Sequence, residues 1–177
     1  MTTIERVVEA LYAEPVSTDR ARASPVAGGL PTSAGFYAWW IAPGSIPGLP
    51  HRSHPSADCD LDLLYVGIAP NSPTSKQTLR SRVVGNHLSG NTGSSTFRLS
   101  LASLLLDGEG FKPLATSTKY VLTREDNQRL SAWQRASLSL NWCEQAEPWA
   151  VEPAVIAAMQ PPLNLAANRV VIPADAQ

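Results

Sequence analysis

The chain has 177 residues and a mass of 19.0 kDa; 44% of its residues are hydrophobic, 16% are charged, and its formal net charge is −1. That length bounds it to one domain, whose folding buries roughly 70% of the surface the unfolded chain exposes, and the composition excludes disorder as the main state. Near-neutral charge argues against a protein that coats nucleic acid without specificity, and no apolar run approaches the ~20 residues of a membrane span. No basic segment followed by an apolar stretch opens the sequence, and Cys59 and Cys143 lack CxxC companions. The expectation is a soluble, cytoplasmic protein without a disulfide framework or zinc ribbon.

In chain order, Ile4, Val7, Val8, Leu11 and Tyr12 recur at helical spacing behind a Thr2/Glu5 capping box, which predicts a short amphipathic helix. Pro15, Pro25, Gly28, Gly29 and Pro31 then break both helix and sheet and read as a linker. Gly35–Ile41 (GFYAWWI) and Leu61–Ala69 (LDLLYVGIA) read as strands, separated by a Pro-, Gly- and His-containing excursion too long for a hairpin turn. A helix is predicted from Lys76 to Leu88, capped by Thr74 or Ser75, and after the loop SGNTGSST another opens at Ser95 or Thr96 and ends at Asp107–Gly110. A strand near Lys119–Leu122, a helix from a Thr123/Asp126 cap to Leu138, a strand Leu140–Glu144 and a helix from Trp149 to Met159 complete the pattern. This order predicts an α/β sandwich around a small, largely antiparallel sheet, with 1–33 as N-terminal helix and linker, 34–166 as catalytic domain and 167–177 as tail.

Charge is unevenly spread. From Leu63 to Leu106 there is no Asp or Glu, while Lys76, Arg80, Arg82 and Arg98 fall inside that stretch, so a locally positive, phosphate-binding surface is expected there. A codon bias toward arginine explains the composition equally well. SGNTGSST, with Gly90, Gly93 and Ser95 before a helix start, reads either as a backbone cradle for phosphate or as a capped loop. His51 and His54 form an HxxH without a third ligand at helical spacing.

The motifs GFY at Gly35–Tyr37 and YVG at Tyr65–Gly67 precede a helix carrying Arg82 and His87; Glu152, Ile156 and Asn164 of PPLN follow in order. Over Gly35 to Asn164 this resembles the GIY-YIG nuclease family. Phe36 and Val66 replace the middle isoleucines conservatively, while the separation of Tyr37 and Tyr65 by 28 positions, and the segment Lys119–Leu138, which looks inserted, mark a subfamily. The resemblance implies a metal-dependent endonuclease acting on DNA, RNA not being excluded. It makes Tyr37 or Tyr65 the general base or water-orienting group, Arg82 the ligand of the scissile phosphate and His87 a phosphate or water contact, and it extends the site to Asn164. Glu152 supplies one hard carboxylate, enough for Mg²⁺ or Mn²⁺ completed by water and phosphate oxygens. Tyrosine deprotonates at ~10, so a phenolate near neutral pH costs about 4 kcal/mol unless Arg82 and the metal sit close.

Taken singly, each residue also fits a plain structural role: half-buried strand tyrosines, a solvated helix arginine, a helix-end histidine, a first-turn glutamate favoured by the helix dipole. Two rival functions follow. One is a non-catalytic, regulatory nucleic-acid-binding module on the same fold; the other is a partner protein that assembles or self-associates through the N-terminal helix.

Overall fold

The computed structural model describes residues 1–118 and 120–164, so the tail expected at 167–177 lies outside the described residues. Thr2 opens α1 (Thr3–Leu11) through the expected capping box, its hydroxyl accepting from the Glu5 amide at 3.1 Å and its amide donating to the Glu5 carboxylate at 2.7 Å. Next come β1 (Val16–Ser17), α2 (Thr18–Arg22) and the two motif-bearing strands, β2 (Gly35–Ile41) and β3 (Asp62–Ala69). Helix α3 (Ser81–Leu88) is π-helical; α4 (Thr96–Leu104) is capped by Ser95, and α5 (Leu106–Glu109) is stopped by Gly110 at φ 62°. Strand β4 (Pro113–Ala115) pairs with β5 (Tyr120–Leu122), and α6 (Arg124–Ser137), β6 (Leu138–Glu144) and α7 (Pro148–Met159) complete the chain order.

All seven residues of β2 are buried, because the strand lies between β3 and β6 in an antiparallel sheet of order β1-β6-β2-β3. Tyr37, Trp39 and Ile41 pack with Leu79, Val83 of α3, Phe97 and Leu101 of α4 and Leu130 of α6. Phe36, Ala38 and Trp40 pack on the other side with Val7 and Leu11 of α1 and Val155 and Met159 of α7. A strand covered on both faces carries apolar side chains on both, which is why GFYAWWI lacks polar alternation. The result is the expected α/β architecture, a four-stranded antiparallel sheet between helical layers.

Three features depart from the sequence reading. The N-terminal segment is no linker: β1 pairs with β6 through Val16↔Leu140 and Ser17↔Ser139, and the apolar stripe of α1 is consumed in the core against Trp40 rather than left for a partner. The helix expected at Lys76 starts later, because Thr78 and Ser81 cap each other reciprocally, amide to hydroxyl, at 2.9 and 3.1 Å. Strand β4 carries no alternating pattern; its three residues are exposed and form only by pairing with β5.

Tyr37 stands opposite Gly67 and Trp39 opposite Tyr65, and toward the 42–60 excursion the register shifts by one residue, Trp40 standing opposite Leu63. Loop closure costs rise only slowly with length, and this loop is anchored: His51 Nδ1 lies 2.6 Å from Asp62, and His54 packs edge-on to Trp40 at 4.9 Å. Beyond α7 the chain covers the open edge of β3. The Leu163 amide donates to the Leu64 carbonyl at 3.1 Å, and Asn164 grips both backbone groups of Val66, accepting at 3.0 Å and donating at 2.7 Å.

Asn141 joins α1 to the sheet. Its buried amide donates to the Leu11 and Ala13 carbonyls at 2.6 and 2.8 Å and accepts from Trp40 Nε1 at 3.2 Å. Asn141→Ala strands all three groups away from water, so stability should fall by about 3 kcal/mol, a Tm loss of roughly 6–12 °C by thermal melting. A melt within about 2 °C of wild type contradicts this role for Asn141.

Candidate active site

Tyr37 sits at the middle of β2, and its cross-strand partner has no side chain. A Cβ at Gly67 would strike the hydroxyl and ring of Tyr37 and come within 2.8 Å of Tyr65 Cε1, so only glycine lets the Tyr37 ring lie across β3. The requirement was present in the YVG motif, but the sequence reading named only its tyrosine as functional. The Tyr37 and Tyr65 rings have centroids 6.3 Å apart at 40°. Tyr37 is wholly buried, whereas Tyr65 keeps partial exposure.

The π-helical form of α3 brings Arg82 and His87 together. In an α-helix residues five apart point about 140° away from each other; i→i+5 hydrogen bonding, such as Ser89 amide to Val84 carbonyl at 3.1 Å, returns them to nearly the same face. Arg82 and His87 have that spacing. His87 is fully buried, with Nε2 2.7 Å from the Tyr37 hydroxyl and Nδ1 2.8 Å from Ser95 Oγ, which also accepts from the Arg98 amide at 3.2 Å. Burial, reinforced by the charges of Arg82 and Arg98, lowers its pKa to about 3. The imidazole is therefore a neutral bridge that holds Tyr37, out of reach of solvent, rather than a phosphate or water contact.

Arg82 is half-buried, makes one long hydrogen bond, to Gln77 Oε1 at 3.4 Å, and its charge acts on the Tyr37 phenol. Burial pushes Tyr37 well above the ordinary tyrosine range, the neighbouring Tyr65 and Glu152 adding to the rise while Arg82 opposes it. Tyr65 is raised as well, chiefly by burial, with Arg82 and the Tyr37 hydrogen bond pulling down and Glu152 pushing up. Glu152 stands in the second turn of α7, so the helix dipole of a first-turn position is not its reason. Its carboxyl is raised by burial and lowered by Arg82. Tyr37, Tyr65, Arg82 and Glu152 thus act on one another's charge across four elements, and His87 supports Tyr37 from behind.

The residues expected to bind nucleic acid separate into two groups. Lys76 is exposed in the turn before α3. Arg80 is committed to backbone, donating to the Ala23 and Arg22 carbonyls at 2.7 and 3.0 Å and fixing the end of α2. Ser95 is held between His87 and Arg98, Arg98 is fully buried, and Asn164 clasps Val66; the expectation that these three touch phosphate is corrected by their internal bonds. SGNTGSST is a capped loop in which Asn91 Oδ1 accepts from the Gly93 and Ser94 amides at 2.8 and 3.1 Å. His51 and His54 are engaged separately, by Asp62 and by the Ser56 amide. Among the described residues no group of three or more His, Cys, Asp or Glu is placed to hold a metal ion, and no helix is long and apolar enough to cross a membrane.

An antiparallel sheet between helices, bearing paired tyrosines beside an arginine and a lone half-buried carboxylate, is the frame of a phosphodiester hydrolase. Residues 35–176 match the GIY-YIG catalytic domain, and the chain belongs to the GIY-YIG family. Its function is accordingly of nuclease type, with nucleic acid as substrate. Comparison with curated proteins and with solved structures gives no match.

The buried neutral His87 makes stability depend on pH. Its folded pKa of about 3 lies below the ordinary 6.5, so its contribution is complete above pH 6.5 and is lost as pH falls toward 3. Urea unfolding at pH 7.5 and pH 5 should show wild type losing about 2 kcal/mol more than His87→Gln, whose amide does not titrate. Equal losses in the two proteins contradict the buried neutral imidazole.

Proposed function

We propose that this chain is a divalent-metal-dependent endonuclease that hydrolyses a phosphodiester bond of DNA, with Tyr65 nearest the attacking water, Arg82 on the scissile phosphate and Glu152 holding Mg²⁺ or Mn²⁺. The observation that carries the reading is the asymmetry of the tyrosines: one is sealed behind His87, and the other keeps its exposure beside Arg82 and Glu152.

The donor set suits such an ion. Glu152 is a hard carboxylate whose burial disfavours its charge, and a nearby cation removes that penalty. When bound, the ion would neutralise charge on the phosphate oxygens and favour loss of a proton from water or phenol. The rest falls to the chain. Arg82 would meet the negative charge that builds on the phosphorane-like transition state, with guanidinium donors that among the described residues only Gln77 engages, at 3.4 Å. Tyr65 would orient the water, and it could take the water's proton only after releasing its own phenolic proton to solvent, a loss that burial opposes and Arg82 eases. Tyr37 would set the Tyr65 hydroxyl by hydrogen bonding, itself fixed by His87. Lys76, exposed near this helix, would add a phosphate contact. Free Cys59 and Cys143 support a reducing, cytoplasmic setting.

The test is nicking of supercoiled plasmid with Mg²⁺ or Mn²⁺. Glu152→Gln should lower the rate at least 10²-fold while leaving DNA affinity equal or slightly higher, because a repelling carboxylate is gone. Full cleavage by this variant sinks the metal assignment, and wild-type binding without any nicking favours the regulatory module instead.

A further inference from the structure

Away from the tyrosines lies a groove of about 580 Å³ between the loop that follows His87 and one face of α6. Arg124 and Arg135 stand on that face, eleven residues and three turns apart, about 16 Å along the helix axis, with Gln128 and Ser131 between them. Both arginines are exposed, and neither guanidinium has a hydrogen-bond or ion-pair partner among the described residues. No Asp or Glu lines the groove; Asp126 of the same helix is turned to Arg129, at 2.7 Å, and to the Lys112 amide.

Beneath the floor lies a charge without a counter-ion. Arg98 is fully buried, and every acceptor it uses is neutral: the His87 carbonyl at 2.9 Å, Gln134 at 2.7 Å, the Asn127 carbonyl at 2.8 Å and, at 3.0 Å, the hydroxyl of Ser131, which itself lines the groove. Burial brings its pKa down to about 10, which still leaves it charged at neutral pH. A buried cation ordinarily has an acidic partner, and here none is found among the described residues. Ser131 and Asn127, which it contacts, line the groove, so the charge lies one side chain beneath it. The walls are also rigid. Asn127 ties them together, its Oδ1 accepting from the Thr92 amide at 3.0 Å and its Nδ2 donating to the Leu122 carbonyl at 3.0 Å.

We infer that this groove is a second, non-catalytic DNA-backbone site, in which Arg124 and Arg135 contact phosphates of duplex flanking the cleaved bond and Arg98 supplies buried positive charge from below. The inference rests on the nuclease reading above and extends it to the path of the substrate. The separation of the two arginines lets each meet a different phosphate, and the loop wall begins two residues after His87, which links the groove by chain to Tyr37.

The experiment measures binding of a labelled duplex by fluorescence anisotropy in EDTA from 50 to 200 mM NaCl, for wild type and for the double variant Arg124→Gln/Arg135→Gln, beside plasmid nicking with Mg²⁺. Losing two phosphate contacts should reduce the log–log salt slope by about 1.8, so wild type should lose about 12-fold more affinity than the variant across that range. Both positions are exposed, so melting temperatures should agree. If wild type nicks DNA but shows no salt-dependent binding, or the double variant keeps the full slope, the groove proposal fails and the nuclease reading stands. If wild type neither binds nor nicks DNA, both fail. Stronger, Arg124- and Arg135-dependent binding of an RNA duplex of the same sequence overturns the assignment to DNA.

Discussion

The close approach of the Tyr37 ring to the backbone of Gly67 is the contact on which the site depends. With no Cβ opposite it, Tyr37 can lie across β3 and meet Tyr65, and it can do so only while β2 and β3 keep Tyr37 opposite Gly67. A one-residue slip would turn every side chain of β3 to the other face. Much of the fold reads as protection of that register: β6 pairs along the whole length of β2, Leu163 and Asn164 cover the far edge of β3, and the 42–60 excursion is fastened at Asp62, the first residue of β3.

A second constraint is electrostatic. Burial disfavours charge on Tyr37, Tyr65 and Glu152 alike, and Arg82 is the group that opposes it at all three. His87 stays neutral between two arginines because protonating it would place a third positive charge in a dry interior. Buried polar groups thus hold Tyr37 from behind, and Arg82 is the positive charge set against the burial of the tyrosines and Glu152.

Most of the architecture was legible because its signals are local. Thr2 with Glu5, Ser95, and Thr123 with Asp126 mark helix starts through hydrogen bonds to backbone three residues away, and these caps form as expected. The aromatic run Gly35–Ile41 reads as a strand because few other conformations bury it. What stayed hidden depends on distant partners. Val16 and Ser17 become a strand only against β6, and Pro113–Ala115 only against β5. Within the site, residue type identified Tyr37, Tyr65, Arg82, His87 and Glu152 as a group, but not which of them is sealed. Arg80 and Arg98 have the composition of a phosphate surface, yet their guanidiniums are spent on carbonyls and amides that fold back from elsewhere in the chain. The π-helical turn of α3 likewise has no sequence signature that separates it from an ordinary helix.

The central claim is that the two tyrosines divide the work, Tyr65 at the water and Tyr37 behind it. Single-turnover nicking of supercoiled DNA by Tyr65→Phe tests this most directly, since the change deletes one hydroxyl and keeps ring and strand intact. The account predicts a rate 10²- to 10⁴-fold below wild type with DNA binding and Tm close to wild type. Cleavage by Tyr65→Phe at the wild-type rate would contradict it.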